Sequence, residues 1–167
     1  MVNIRWCCKK LEGIRLIEPN DNLALSHIKM AEDALGTMGR EKNFNMIFAI
    51  SACYYSMYYL LYSILMKLGI KCEIHACTLE FMKVFLSDFY SEKEIEVINR
   101  AFDLRGISQY YADKIVDKKD IEFIMINAPY FLNKSKEVIN KINENDIKRV
   151  RNLINNVRQN LKKENQS

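Results

Sequence analysis

The sequence predicts an all-α protein, a four- or five-helix up-and-down bundle with a helical extension at its C-terminus. Five glycines and two prolines in 167 residues are too few for the many tight turns of an all-β fold. No long segment alternates between apolar and polar residues with period two, whereas apolar residues recur with helical spacing. A hydrophobic fraction of 49% and a charged fraction of 28% are typical of a single globular domain.

The first predicted helix follows a turn at Pro19. Asn20 or Asp21 is expected to cap its N-terminus, because both side chains can accept a hydrogen bond from a free backbone N–H group. Apolar residues then follow one helical face, and Gly36 and Gly39 are expected to end the helix.

The second predicted helix runs from about Phe44 to Leu68 and ends at Gly69. It contains the stretch CYYSMYYLLY, residues 53–62, with five tyrosines and no charge. Residues 46–66 are uncharged and long enough to span a bilayer, but tyrosines in spanning helices gather at the interfaces rather than mid-segment. We therefore expect a buried helix and no membrane association.

Three further helices complete the predicted bundle. The third covers residues 78–86, and the fourth opens at the capping-box pattern of residues 91–94. Asp117 or Asp120 is expected to cap the fifth helix, which Pro129 should kink or split.

The charge and apolar pattern divide the chain into an N-terminal extension (1–19), the bundle (20–140) and a basic helical tail (141–167). From Ile147 onward the tail carries six basic residues and one acidic residue. Its apolar residues are spaced three, four, three, four: Ile147, Val150, Ile154, Val157 and Leu161. An amphipathic helix docked on the bundle is the favoured interpretation, and a basic handle for a partner helix or nucleic acid is the alternative. We expect the tail after Asn143 to be dispensable for folding, because it carries the positive excess but little of the apolar pattern.

The cysteines are five in number and show no disulfide-framework spacing: Cys7, Cys8, Cys53, Cys72 and Cys77. This pattern predicts free thiols in a reducing compartment, hence a cytoplasmic location. A zinc site at Cys72, His75 and Cys77 with a fourth ligand from Cys7 or Cys8 is not favoured, because the spacing is not a standard zinc pattern. No metal or cofactor is expected.

Arg105 is the residue that most invites a functional interpretation. It lies on the same predicted helical face as Ile98, Ala101 and Phe102. An arginine on an apolar face either extends to solvent or is held by partners, because a buried unpaired charge is very costly.

Three segments together resemble the HEPN superfamily, in particular its branch of small stand-alone prokaryotic proteins. They are AISACYYSMYYLLYSILMKLGI, IHACTLEFMKVF and AFDLRGISQYYAD. Cys53-Tyr54-Tyr55 stands where the branch has alanine and two tyrosines, and Gly69 ends that helix. Ile74-His75 stands at the threonine-histidine pair, and residues 105–110 stand at the later arginine motif. The resemblance covers about residues 23–138.

The resemblance implies a homodimer with the motif arginine in a groove at the dimer interface. Tyr55, Tyr58, Tyr59 and Tyr62 share one helical face, which suits a partly wet interface or, equally, a monomer core with hydroxyls at its edge. The residues expected to line the groove are Arg105, Gln109, Tyr110, Tyr55, Tyr59 and His75.

The sequence departs from the catalytic members of the superfamily that it resembles. Those toxins cleave RNA without metal, using an arginine followed four to six residues later by a histidine. Here these positions hold Gln109, Tyr110 and Tyr111, none of which titrates near neutral pH. His75 could reach the groove from the start of the third predicted helix, whereas His27 is expected at the surface. Enzymatic activity is thus left open, with the missing histidine arguing against it.

Three functions follow from this comparison. The favoured one is a non-catalytic dimeric module that binds a nucleotide or RNA phosphate and partners a minimal nucleotidyltransferase in a toxin–antitoxin or defence system. The alternatives are a metal-independent endoribonuclease toxin with a non-standard base, and an interaction protein without ligand.

Overall fold

The computed structural model describes residues 2–111, 114 and 116–164, and within these ranges the chain forms seven helices and one two-stranded antiparallel pairing. The predicted all-α fold is confirmed. The elements in chain order are α1 (Ile4–Lys9), β1 (Arg15–Leu16), α2 (Asp21–Glu41), α3 (Met46–Leu68), β2 (Ile70–Lys71), α4 (His75–Phe85), α5 (Glu92–Tyr110), α6 (Lys118–Lys141) and α7 (Glu144–Glu164).

Helix α2 begins as predicted but is longer than predicted. The Asn20 side chain accepts a hydrogen bond from the Leu23 backbone N–H at 2.9 Å. The helix then continues through Gly36 and Gly39, so the prediction that these glycines end it was wrong. A glycine inside a helix costs about 1 kcal/mol relative to alanine. Packing of the apolar face of α2 against α3 outweighs that cost.

Helix α3 is the central helix of the bundle. Asn45 caps its N-terminus, and Gly69 ends it in the left-handed conformation with φ 70°, as predicted. Among the described residues it is the one helix long and apolar enough to cross a membrane. Because 72% of its most apolar window is buried inside the bundle, its composition fits a core helix.

The later helices follow the predicted order with shifted boundaries. Helix α4 begins at His75, three residues before the predicted start. The capping box of Ser91 and Glu94 opens α5, and Asp117 caps α6, as expected. Helix α6 is continuous through Pro129, so it is not split there.

Helix α7 is docked on the bundle, which is the favoured of the two interpretations of the tail. Val150, Ile154 and Leu161 are buried. Arg151 donates hydrogen bonds to the backbone carbonyls of Ile17, at 2.6 Å, and Gly69, at 2.7 Å. The expectation that the bundle folds without this segment therefore loses its basis.

The N-terminal segment is joined to α4 by a disulfide between Cys7 and Cys77, so the prediction that all five cysteines are free was wrong. Cys7 lies within α1, and its Cα is 5.5 Å from that of Cys77, 70 positions away in the sequence, a pairing that no spacing rule predicts. Cys8, Cys53 and Cys72 are free thiols. Burial raises the pKa of the Cys53 thiol to about 12, so that thiol is unreactive at neutral pH.

Candidate functional site

Arg105 lies half-buried among tyrosines near the C-terminal end of α5. Its Nη2 donates a hydrogen bond to the hydroxyl of Tyr55 at 3.0 Å. Its guanidinium carbon lies 5.4 to 5.8 Å from the ring centroids of Tyr54, Tyr55 and Tyr110, within the range of cation–π attraction. The guanidinium is thus surrounded mainly by aromatic rings.

The hydrogen-bonding capacity of Arg105 is not filled. Its Nε is buried and has no hydrogen-bond partner. Among the described residues, no carboxylate forms an ion pair with it. A guanidinium offers five N–H donors and is always charged, so within the described residues this site presents unused donors and a positive charge without a counter-ion.

His75 lies against the same tyrosines. As the first residue of α4 it places Nδ1 2.7 Å from the hydroxyl oxygen of Tyr54, and its ring stacks on that of Tyr58 at 4.1 Å between centroids. Burial lowers the pKa of His75, and the positive charge of Arg105 lowers it further. The imidazole is therefore neutral at pH 7.

The tautomer of His75 follows from its partner. Burial raises the pKa of the Tyr54 phenol, so its hydroxyl remains protonated. We assign Tyr54 as the donor and Nδ1 of His75 as the acceptor, which leaves the ring proton on Nε2. In this arrangement the one basic lone pair of the imidazole is already engaged.

Gln109 and Tyr110 lie at the outer edge of this site. Gln109 is exposed and donates from Nε2 to the Ser51 hydroxyl at 2.8 Å, and that hydroxyl donates to the Ile47 carbonyl. Tyr110 is 69% exposed. Gln109 therefore joins α5 to α3 through Ser51, and within the described residues no hydrogen bond links it to Arg105.

All six residues expected to line a groove lie in or beside this group. Tyr59 is at its margin, with its ring 5.7 Å from that of Tyr55. We refer to Arg105, His75, Tyr54, Tyr55 and Tyr110 as the Arg105 cluster. Sequence reasoning missed Tyr54 as a site residue, although its position four residues before Tyr58 places both on one helical face.

The tyrosine face divides between the two predicted roles. Tyr54 is fully buried and Tyr58 is 7% exposed, so both belong to the monomer core. Tyr55, Tyr59 and Tyr62 are half-buried and retain exposed edges. The interface interpretation is thus open for these three alone.

His27 is not the surface residue that was expected. Its ring packs against Tyr59 and Tyr62, with centroids 6.2 and 4.9 Å apart, and its Nδ1 is buried without a partner. Burial lowers the pKa of His27. The polar neighbours of His27 in sequence point to other faces of α2.

The described part of the chain contains no group of three or more histidine, cysteine, aspartate or glutamate side chains arranged to hold a metal ion. Of the residues weighed as zinc ligands, Cys8 and Cys72 are free thiols, and the others are engaged elsewhere. Cys77 is bonded to Cys7, and His75 is bonded to Tyr54.

The fold and this site define a class: a small all-α protein with a half-buried arginine and a neutral histidine sharing a group of tyrosines. The chain belongs to the HEPN domain family, whose model matches residues 24–160 and so includes most of α7. Over 97 residues the chain is 31% identical to a protein of Methanocaldococcus jannaschii named "Putative toxin MJ0142". The match covers 55% of this chain and 64% of that protein, which is less than two thirds of its length.

Proposed function

We propose that this protein is the toxin-side HEPN module of a toxin–antitoxin or defence system, and that it binds a phosphate group of a nucleotide or RNA without cleaving it. One observation carries the proposal: the guanidinium of Arg105 is half-buried, has an unpartnered Nε, and meets no carboxylate among the described residues. The name of the Methanocaldococcus relative supports the toxin-side assignment.

Phosphate suits this site for electrostatic and geometric reasons. A charge held in a partly desolvated position without a counter-ion costs free energy, which an incoming anion relieves. The planar fork of a guanidinium matches two phosphate oxygens, and the exposed ring of Tyr110 offers a surface for a base. The hydroxyl of Tyr55 already accepts from Nη2 and orients the guanidinium.

His75 argues for binding rather than cleavage. A general base needs a free lone pair within reach of the attacking hydroxyl, and in the assigned tautomer that lone pair faces Tyr54. Endoribonuclease activity is the second candidate function, because His75 and Arg105 both lie against the rings of Tyr54 and Tyr55. In the opposite tautomer of His75 the lone pair would be on Nε2 and could act as a general base. An interaction protein without ligand is the third.

Arg105→Ala is expected to keep the fold and to reduce the rise in melting temperature that ATP or a short RNA gives to the wild type. Arg105→Lys should recover part of that rise, because an ammonium restores the charge but not the bidentate fork. Melting curves of the three proteins, with and without each ligand, measure these effects.

The matched control for Arg105 is Lys93→Ala, which removes one exposed positive charge from the same helix. It should leave the ligand response unchanged. If neither ligand raises the wild-type melting temperature, or if Arg105→Ala retains the full response, the phosphate site is refuted and the ligand-free interaction protein remains. Incubation of the wild type with labelled RNA tests the second function, and cleavage that His75→Gln abolishes would replace binding by catalysis.

The proposed dimer is supported by apolar surface at the start of α3. Phe44 is 89% exposed, Phe48 is 62% exposed and Ile47 is 50% exposed. From Phe48 this surface continues along α3 to the half-buried Tyr55 and Tyr59, which lie about two and three helical turns further on. Contiguous exposed apolar residues of this kind mark interaction surfaces, here that of a second copy across the Arg105 cluster.

Phe48→Glu should therefore convert the dimer to a monomer while leaving the monomer folded, since little of this side chain packs inside the chain. Light scattering gives the mass, and circular dichroism checks the helix content. Ile126→Glu is the matched control, because Ile126 is 63% exposed on α6, and it should not change the mass. A wild-type monomer, or dissociation by Ile126→Glu to the same degree, would contradict this interface.

The remaining parts of the proposal concern partner and location. We place the protein in the cytoplasm with a minimal nucleotidyltransferase as its partner, on the resemblance to HEPN proteins that are encoded beside such enzymes. The Cys7–Cys77 disulfide removes the separate argument for this location from free thiols. Co-purification with a nucleotidyltransferase expressed from the neighbouring reading frame tests this pairing.

A further inference from the structure

A concave surface between α1 and α7 has a strongly positive lining. The cavity has a volume of about 670 Å³ and is lined by Lys9 of α1 and by Arg158 and Lys162 of α7. Asn155 and Gln159 add two side-chain amides. No carboxylate lines it in the part of the chain that the structure describes, so its formal charge is three positive units.

Among the cations of this cavity, Arg158 is held in place by a hydrogen bond to the backbone. One of its Nη atoms donates to the backbone carbonyl of Ile14, which holds the side chain against the N-terminal segment. Its Nε is buried without a hydrogen-bond partner. Arg158 also acts on the half-buried thiol of Cys8, whose pKa burial raises and Arg158 partly lowers. The guanidinium is thus preorganised, partly desolvated and without a counter-ion among the described residues.

The acidic residue at the end of α7, Glu164, already has an ion-pair partner. Glu164 follows Lys162 by two residues on α7 and forms an ion pair with Arg5. Arg5 and Lys9 both lower the pKa of the Glu164 carboxyl, with Arg5 the dominant cause. The charge of Lys162 and Arg158 is therefore not neutralised by an ion pair within the described residues.

We propose that the α1–α7 cavity is a second anion site, which takes a phosphate group of a nucleotide or of an RNA strand. Three converging cations favour a multiply charged anion over a single carboxylate. The amides of Asn155 and Gln159 both donate and accept, and Leu161 supplies an apolar wall. The volume exceeds that of a phosphate alone and falls in the range of ligand sites for nucleotide-sized molecules. This site does not depend on the Arg105 cluster.

Lys162 and Lys163 provide a matched pair for the test, because they are adjacent exposed lysines of α7 and the first of them lines the cavity. Calorimetric titration with inorganic phosphate, ATP and a short single-stranded RNA is carried out on the full chain carrying Arg105→Ala. Loss of one charge-assisted contact should weaken binding about tenfold in Lys162→Ala. Lys163→Ala should stay within about twofold of its parent. For RNA, Lys162→Ala should also reduce the salt slope by about one.

The probes distinguish the source of the phosphate: binding of ATP but not RNA indicates a nucleotide site, and binding of RNA but not ATP indicates a strand contact. Either result supports the proposal. No binding of any probe to the Arg105→Ala parent, or equal losses in Lys162→Ala and Lys163→Ala, would overturn it. Because the parent lacks Arg105, failure here is separate from failure of the first site. Lys9→Ala is a second variant that should weaken binding from the α1 side.

Discussion

Truncation after Asn143 is expected to unfold the protein. The cut removes α7 and with it the buried side chains of Val150, Ile154 and Leu161, each at most 5% exposed. Burial of one such side chain contributes about 2 kcal/mol, so the three together contribute roughly 6 kcal/mol. That sum is comparable with the total stability of an ordinary domain, about 5 to 15 kcal/mol.

The hydrogen bonds of α7 add to this loss. Arg151 supplies donors to the carbonyls of Ile17 and Gly69, where α3 ends and the β1–β2 pairing begins. Without α7 these carbonyls lose a charged donor. Circular dichroism should show the loss of helix well beyond the 21 helical residues of α7 that the cut removes. A truncated chain that melts cooperatively near the wild-type temperature would mean that α7 is dispensable.

A pair of point variants separates docking from chain length. Ile154 is fully buried on α7, and Ile154→Ala should cost about 3 kcal/mol. The adjacent Leu153 is 40% exposed, and Leu153→Ala should cost less than about 1 kcal/mol. Equal effects of the two substitutions would contradict a docked helix with a defined buried face.

Gly69→Ala is expected to destabilise the protein by about 3 kcal/mol or more. At φ 70° an added Cβ costs about 1 to 2 kcal/mol in backbone energy alone. The new Cβ would also lie 2.3 Å from Nη1 of Arg151 and 2.6 Å from the carbonyl oxygen of Ile17. Relief of that contact requires Arg151 to leave its carbonyl acceptors on Ile17, Leu68 and Gly69, so the substitution also weakens the docking of α7.

Gly39→Ala is the matched control, because Gly39 has helical backbone geometry and an added Cβ meets nothing within 4 Å. Alanine there should raise stability by about 0.5 to 1 kcal/mol, through better helix propensity. Thermal melting of both variants measures the contrast. A Gly69→Ala protein that melts with the wild type would show that neither the left-handed turn nor the Arg151 contact constrains this residue.

Local signals in the sequence determined the element types and many of the ends. The sequence pattern predicts the N-caps at Asn20 and Ser91 and the end of α3 at Gly69, because each of these features depends on a few neighbouring residues. The predicted end of α2 was wrong because tertiary packing against α3 overrides the weak tendency of Gly36 and Gly39 to end a helix. The start of α4 was missed because Ile74, its N-cap residue, makes no side-chain capping bond.

The residues of the candidate site could be predicted from the sequence, but the hydrogen bonds between them could not. The apolar setting of Arg105, and the family resemblance around it, pointed to the right part of the chain. Its contact with Tyr55 joins residues 50 positions apart, and the His75–Tyr54 bond joins α4 to α3. Partners of this kind are set by how helices pack, which a helical period does not specify.

The sequence by itself determined that this chain is helical, where its strongest caps and stops lie, and which arginine stands on an apolar face. The tertiary structure alone decided that Cys7 meets Cys77, that α7 belongs to the core, and that His75 is neutral and bonded to Tyr54. The physical reason is the separation in sequence over which each effect acts. Propensity and capping act within a few residues, whereas burial, pKa shifts and disulfide pairing depend on segments brought together from far apart in the chain.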